Sequence, residues 1–125
     1  MNPFKSGMVG AVGLNATMAR EQASKEFRTV QGRRYPFFYN PMWGHFGDRD
    51  RNPPGTYYRD SGQHVNYYWN MFDQVLIRPS LLDMFPHDGV EIITHAGITS
   101  LLTSSGVPDR AIGSDHLPSL FRLGA

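Results

Sequence analysis

The sequence predicts a mixed α/β domain in which most strands are antiparallel and helices are few. Aromatic and β-branched segments outnumber helical ones, and aromatic residues make up 13% of the chain. Thirteen glycines and nine prolines divide the 125 residues into short segments, which is typical of short strands joined by turns. A chain of this length corresponds to at most one small domain.

One helix is predicted near the N-terminus, over residues 14–27. The segment is rich in Ala, Met, Glu, Gln, Lys and Arg, which favour helices. Leu14, Met18 and Phe27 form an imperfect apolar stripe on one face. We expect Gly32 to end this helix.

Strands are predicted from aromatic and apolar runs. Residues 35–42 are extended, but two prolines argue against a regular central strand there. Residues 56–59, followed by turn residues at 60–63, predict the start of a hairpin. Residues 66–77 are the best strand candidate, because nearly continuous apolar character indicates burial on both faces.

The last third of the chain predicts short elements. We expect a helical turn over 80–85 with Ser80 as its cap, strands over 90–94 and 117–123, and a loop over 108–113. Residues 98–102 are ambiguous. Together these elements would form half a sandwich, and an aromatic sheet face of this kind needs a partner layer.

Composition excludes several classes of site. Twelve Lys and Arg residues against eleven Asp and Glu leave a net charge of +1, which provides no strong overall attraction to nucleic acid. There is no cysteine, which excludes disulfides and thiolate metal sites and is compatible with the cytoplasm. Because no signal-peptide pattern or long apolar run is present, we expect a cytoplasmic protein that does not enter membranes.

Two segments carry the candidate chemistry, residues 72–76 (Phe-Asp-Gln-Val-Leu) and residues 114–118 (Ser-Asp-His-Leu-Pro). Histidine is a common general base because it exchanges its proton near neutral pH, and it works better when a carboxylate orients it. Asp115 is an unsuitable partner for His116, since neighbours on a strand point to opposite faces. Asp73 lies in an apolar run and needs a polar partner, so we predict that it contacts His116.

These two segments resemble the closing half of the endonuclease/exonuclease/phosphatase superfamily, which includes DNase I, apurinic endonucleases and inositol-polyphosphate phosphatases. The resemblance implies that residues 1–125 are the C-terminal part of a four-layer, DNase I-like α/β sandwich, about half of the full domain. It also implies metal-dependent hydrolysis of a phosphate ester in nucleic acid, a nucleotide or a phosphoinositide. By the same resemblance His116 acts at the phosphate, Asp73 orients His116, and Asp115 lies near Mg²⁺ or Mn²⁺.

Other parts of the family pattern have no counterpart in this chain. The family's metal-binding Glu and its Gly-Asp-x-Asn element are absent, and residues 1–4 (Met-Asn-Pro-Phe) resemble the residues that follow that element. We therefore expect the missing groups to lie upstream and Asn2 not to be the catalytic Asn. We also expect the chain alone to be inactive, with a missing N-terminal half or a second copy as partner.

Two further groups of residues, a His/Asp cluster and an aromatic–arginine stretch, each allow a functional and a simpler interpretation. His45, Asp48, Asp50 and His64 could hold a metal, but their spacing is not that of a zinc site, and a solvated loop is favoured. Aromatic residues interleave with arginines between residues 33 and 69, which could bind single-stranded nucleic acid, although a core with solvated arginines is favoured. The alternative function is a non-catalytic binding or structural module that pairs through its aromatic sheet.

Overall fold

The computed structural model describes residues 7, 15–47 and 53–124. These residues form a strand-rich, mixed arrangement with few helices, which confirms the predicted class at that level. The elements, with η denoting a 3₁₀ helix, are β1 (Asn15–Thr17), α1 (Arg20–Ala23), β2 (Phe27–Val30), β3 (Arg33–Tyr39), η1 (Pro41–His45), β4 (Tyr57–Tyr58), β5 (Trp69–Asn70), η2 (Pro79–Met84), β6 (Val90–Ile92), β7 (His95–Ala96), β8 (Thr99–Ser100) and β9 (Ser119–Phe121).

The strands form several small sheets. The largest among the described residues has three strands in the order β1-β3-β2, with β1 parallel and β2 antiparallel to β3. The other three sheets are antiparallel pairs, β4–β5, β6–β9 and β7–β8. The predicted predominance of antiparallel pairing is therefore confirmed.

Of the predicted helix over residues 14–27, Leu14 lies outside the described residues, and over 15–27 the prediction is wrong except for the single turn of α1. Strand β1 pairs with the end of β3, and β2 pairs with its beginning, so tertiary pairing outweighs the helix propensity of this segment. Gly32 ends no helix. It lies with Gln31 in a two-residue turn between β2 and β3, and both have positive φ angles, 50° for Gln31 and 78° for Gly32, as a type I′ turn requires.

The expectation that prolines exclude a central strand is also wrong, because β3 lies between β1 and β2. Pro36 pairs with Phe27 of β2, whereas the pairing with β1 begins only at Phe37. Pro36 therefore has a strand on one side only, and its missing N–H disrupts no second ladder. Pro41 begins η1, a position where no backbone N–H is needed.

The predicted strand over residues 66–77 is present only in part. Its β5 residues pair with β4, which confirms the predicted hairpin, although the connecting loop runs from 59 to 68. Tyr68 interrupts the strand with a φ of 60°, and Ile77 forms an isolated bridge to Tyr39. The prediction that this segment is buried on both faces is wrong, since Tyr67, Tyr68 and Phe72 are exposed.

Most of the later predictions are confirmed. Residues 79–84 form the helical turn η2, but its cap is Arg78 rather than Ser80, because Pro79 already takes the first helical position. The strands within 90–94 and 117–123 are β6 and β9, which pair with each other. The ambiguous segment contributes β8, the second strand of a hairpin with β7.

One cluster of buried side chains forms the core and extends to both candidate segments. It consists of Ala23, Phe37, Met42, Met71, Ile77, Leu82, Phe85, Val90, Ile92 and Leu117. Met71 lies two residues before Asp73, and Leu117 directly follows His116. The core therefore anchors the backbone on either side of the predicted contact. Within the described residues, no helix is both long enough and apolar enough to cross a membrane.

Candidate active site

The two residues that the sequence pairs do meet in the structure. His116 Nδ1 lies 2.7 Å from Asp73 Oδ2, although 43 positions separate them in the chain. Both side chains are partly exposed, 39% for His116 and 43% for Asp73. The predicted contact is confirmed, and solvent or a small substrate can reach it.

Thr56 joins the two chain segments that carry this pair. Its side chain is fully buried, and its Oγ1 accepts hydrogen bonds from the backbone N–H groups of Phe72 and Asp73, both at 3.2 Å. Its carbonyl oxygen accepts from the N–H of Leu117 at 2.7 Å. One residue between β4 and Gly55 thus sets the position of both the carboxylate segment and the histidine segment.

Ser114 fixes the turn that precedes His116. Its Oγ accepts a hydrogen bond from the His116 N–H at 3.0 Å, the local pattern by which serine hydroxyls stabilise turns. The backbone of His116 also bridges to Tyr57 of β4. The imidazole therefore projects from a segment held at its own N–H and, through Leu117, at the following residue.

Two aromatic rings pack around the imidazole of His116. The ring centroid of Tyr57 lies 4.9 Å and that of Phe72 lies 6.2 Å from the imidazole centroid. Tyr57 and Phe72 stack on each other at 5.1 Å. These contacts restrict rotation of the imidazole without covering it.

The Asp73–His116 contact determines which ring nitrogen is available. An ionised carboxylate can only accept hydrogen bonds, so a neutral His116 beside ionised Asp73 carries its proton on Nδ1. Nε2 then presents a lone pair away from the carboxylate. This arrangement suits a histidine that accepts a proton from water, or one that contacts an anionic group once it is protonated.

Among the described residues, the carboxylate of Asp115 makes no ion pair or hydrogen bond with the side chains of Asp73 or His116. Its Oδ2 lies 3.8 Å from Arg110 Nη2, and it borders a cavity of about 190 Å³ with Tyr57, Tyr58 and Pro108. A magnesium-type ion requires oxygen ligands in an octahedral arrangement. One carboxylate next to a guanidinium does not by itself fit such an ion.

Residues 15–47 and 53–124 hold no group of three or more His, Asp or Glu side chains able to bind a metal together. Of the loop cluster weighed above, His45 and His64 belong to this part of the chain, and Asp48 and Asp50 lie outside it, as does Asn2.

A larger open cavity lies on the side of Phe72 formed by the β4–β5 loop. It has a volume of about 720 Å³ and is lined by polar and aromatic residues that include Arg59, Asn66 and Tyr67. Phe72 lines this cavity and also packs near the imidazole of His116, whereas neither Asp73 nor His116 is among the lining residues.

Comparison with protein-family models, with curated proteins and with solved structures found no significant match.

Thr56 and Ser114 were not assigned to the site from the sequence. Ser114 could have been found, because a serine two residues before the histidine is placed to accept its N–H. Thr56 carries no such signal, since a threonine at the start of an aromatic strand is an ordinary strand residue.

Proposed function

We propose that this chain is the C-terminal part of a metal-dependent phosphoesterase of the endonuclease/exonuclease/phosphatase type. The observation that carries the proposal is the 2.7 Å contact between His116 and Asp73. Two motifs 43 positions apart that resemble one family also meet in space, and Nε2 of the partly exposed imidazole has no hydrogen-bond partner among the described residues.

His116 is the residue that meets the substrate in this proposal. Its Nε2 accepts a proton from the attacking water, or, when the ring is protonated, stabilises charge on the scissile phosphate. Asp73 holds the ring in the required tautomer and stabilises the cation that forms. Tyr57 and Phe72 keep the ring plane in place, and Thr56 positions the backbone from which Asp73 projects.

The proposal assigns the rest of the active site to polypeptide beyond the described residues. In the complete four-layer domain Asp115 would supply one oxygen to Mg²⁺ or Mn²⁺, and the remaining ligands would come from the missing N-terminal half. The substrates proposed for this type of phosphoesterase are nucleic acids, nucleotides and phosphoinositides. We assign no catalytic step to the metal, because the described residues do not complete its site.

The decisive experiment measures phosphodiester hydrolysis by the polypeptide translated from the complete reading frame, with Mg²⁺ and with bis-p-nitrophenyl phosphate or plasmid DNA as substrate. His116→Asn and Asp73→Asn should each lower kcat/KM by about 10²- to 10⁴-fold, the usual contribution of a positioned proton-transfer group. His95→Asn is the matched control, because the His95 imidazole is exposed and, among the described residues, hydrogen-bonds only with the neighbouring Thr94 hydroxyl.

Full activity of the His116→Asn enzyme would remove the proposal. We expect the 125-residue chain by itself to show no metal-dependent hydrolysis, and efficient cleavage by this chain would contradict the assignment of ligands to another segment.

A second candidate is the non-catalytic module that pairs with another copy of itself. Exposed aromatic side chains at and beside β5 favour it, since Tyr67, Tyr68 and Phe72 are 49%, 46% and 39% exposed. Light scattering and the hydrolysis assay together distinguish the two functions. A dimer that weakens on Tyr67→Ser and Tyr68→Ser substitution, with no hydrolysis in any version, would favour the module.

A further inference from the structure

The β2–β3 hairpin is an exposed ribbon with strong positive charge. We define the basic ribbon as residues 25–35, from Lys25 through the turn at Gln31 and Gly32 to Tyr35. All four residues of β2 are exposed, and the residues of β3 that pair with them are exposed or partly exposed. Strand β1 pairs only with the far end of β3, so among the described residues the ribbon has no further strand beside it.

Charge is segregated onto this ribbon. Residues 25–35 contain four basic side chains and one acidic one, a net charge of +3, whereas the whole chain carries +1. The remainder of the chain therefore carries −2. The small net charge of the chain conceals a local cationic surface, which is the electrostatic footprint of a nucleic-acid contact.

The strand register places guanidinium groups on both faces of the ribbon. Arg28 is paired with Tyr35, and Val30 with Arg33, so these four side chains share one face because side chains alternate along a strand. Arg34 lies on the opposite face with Phe27. Two arginines thus project on one side and one on the other.

Aromatic rings hold two of these guanidinium groups in place. Arg34 Cζ lies 4.3 Å from the ring centroid of Phe27, and Arg33 Cζ lies 6.0 Å from that of Tyr35. Within the described part of the chain, no ion pair involves Lys25, Arg28, Arg33 or Arg34. Aromatic rings therefore contact the guanidinium groups of Arg33 and Arg34, and none of these four charges is paired with a carboxylate among the described residues.

We propose that the basic ribbon binds double-stranded DNA by entering the major groove. A two-stranded β-ribbon fits that groove, which is about 12 Å wide. The four paired residues of each strand span about 10 Å, in three steps of about 3.4 Å. In the groove the arginines of the ribbon contact backbone phosphates, which are the commonest partners of guanidinium groups on DNA.

The binding does not require hydrolysis, so it can be tested on the 125-residue chain. Fluorescence anisotropy with a labelled 16-base-pair duplex should show binding that weakens with salt. Arg28→Gln with Arg33→Gln should lower the steepness of log K against log salt by about 2, and Arg34→Gln by about 1, since each phosphate contact contributes about 0.9. The matched control is Arg78→Gln with Arg122→Gln, two exposed arginines outside the ribbon.

Circular dichroism and the unfolding midpoint of each variant separate loss of contact from loss of fold. The proposal is overturned if the wild-type chain does not bind the duplex, or if the control variant weakens binding as much as the ribbon variant. Equal affinity for the single strand of the same sequence would overturn the groove geometry, and binding to phosphatidylserine vesicles without duplex binding would assign the ribbon to membranes. None of these outcomes depends on whether the complete protein hydrolyses phosphate esters.

Discussion

The Asp73–His116 site and the basic ribbon are built in opposite ways. The site unites three segments that are far apart in the chain, and a buried hydroxyl and the hydrophobic core hold them together. The ribbon is one continuous hairpin, held by its own turn and ladder and exposed on both faces. Substitutions at the site should therefore affect the whole fold, whereas those in the ribbon should have small and local effects.

The largest effect is expected at Gly55, next to Thr56. A Cβ added there would lie 2.7 Å from the carbonyl oxygen of Asn70 and 3.0 Å from its carbonyl carbon, and backbone atoms cannot rotate away. Gly55→Ala should lower the free energy of unfolding by about 3 kcal/mol, the upper end of ordinary overpacking. Urea denaturation measures this loss.

Gly44 provides the control for that measurement. A Cβ at Gly44 would meet nothing within 4 Å, and the residue is exposed in η1. Gly44→Ala should change the unfolding free energy by less than about 0.5 kcal/mol, as surface substitutions usually do. Equal losses at Gly44 and Gly55 would show that the close approach of β4 and β5 is not what makes Gly55 sensitive.

Loss of the Thr56 hydroxyl should have the next largest effect on stability. Thr56→Val keeps the shape but leaves the N–H groups of Phe72 and Asp73 without their acceptor, which should cost about 2 kcal/mol. Thr56→Ser keeps the acceptor and loses one methyl group, at about 0.8 kcal/mol. Urea denaturation compares the two variants.

The same pair of variants separates a positioning role from a merely stabilising one. Long-range ¹H–¹⁵N correlations report which ring nitrogen of His116 carries the proton. Thr56→Val should disturb the Nδ1–H form that the Asp73 contact imposes, and Thr56→Ser should preserve it. An unchanged His116 spectrum in Thr56→Val would limit Thr56 to a structural role.

The contact at the site was predictable because its chemistry is visible in the residue types. An Asp in an apolar run needs a polar partner, and a histidine beside a turn is a suitable one, whatever strands carry them. The route by which they meet was not predictable. The strand expected around Asp73 is broken at Tyr68 by a positive φ. The backbone N–H groups of Phe72 and Asp73 donate to the Thr56 hydroxyl instead of to a neighbouring strand.

In the ribbon, by contrast, the residue types did not predict the structure. Its hairpin was missed because Lys25, Glu26, Arg28 and Gln31 favour a helix individually, while the turn that decides the fold depends on two residues. Gln-Gly is a weaker turn signal than Asn-Gly or Asp-Gly. The stretch from Phe27 to Tyr35 gains its strand structure from pairing across that turn, which local propensity does not record.

Effects smaller than those of Gly55→Ala and Thr56→Val are therefore expected at the turn of the ribbon. Gly32 has a φ of 78° and open space around it, so Gly32→Ala meets no clash and only disfavoured backbone geometry, worth about 1 kcal/mol. Gln31, with a φ of 50°, offers the opposite test. Gln31→Asn supplies the residue that type I′ turns prefer and should stabilise the chain by about 0.5 kcal/mol. If Gly32→Ala instead cost as much as Gly55→Ala, the ribbon would be part of the cooperative core, and its contrast with the site would fail.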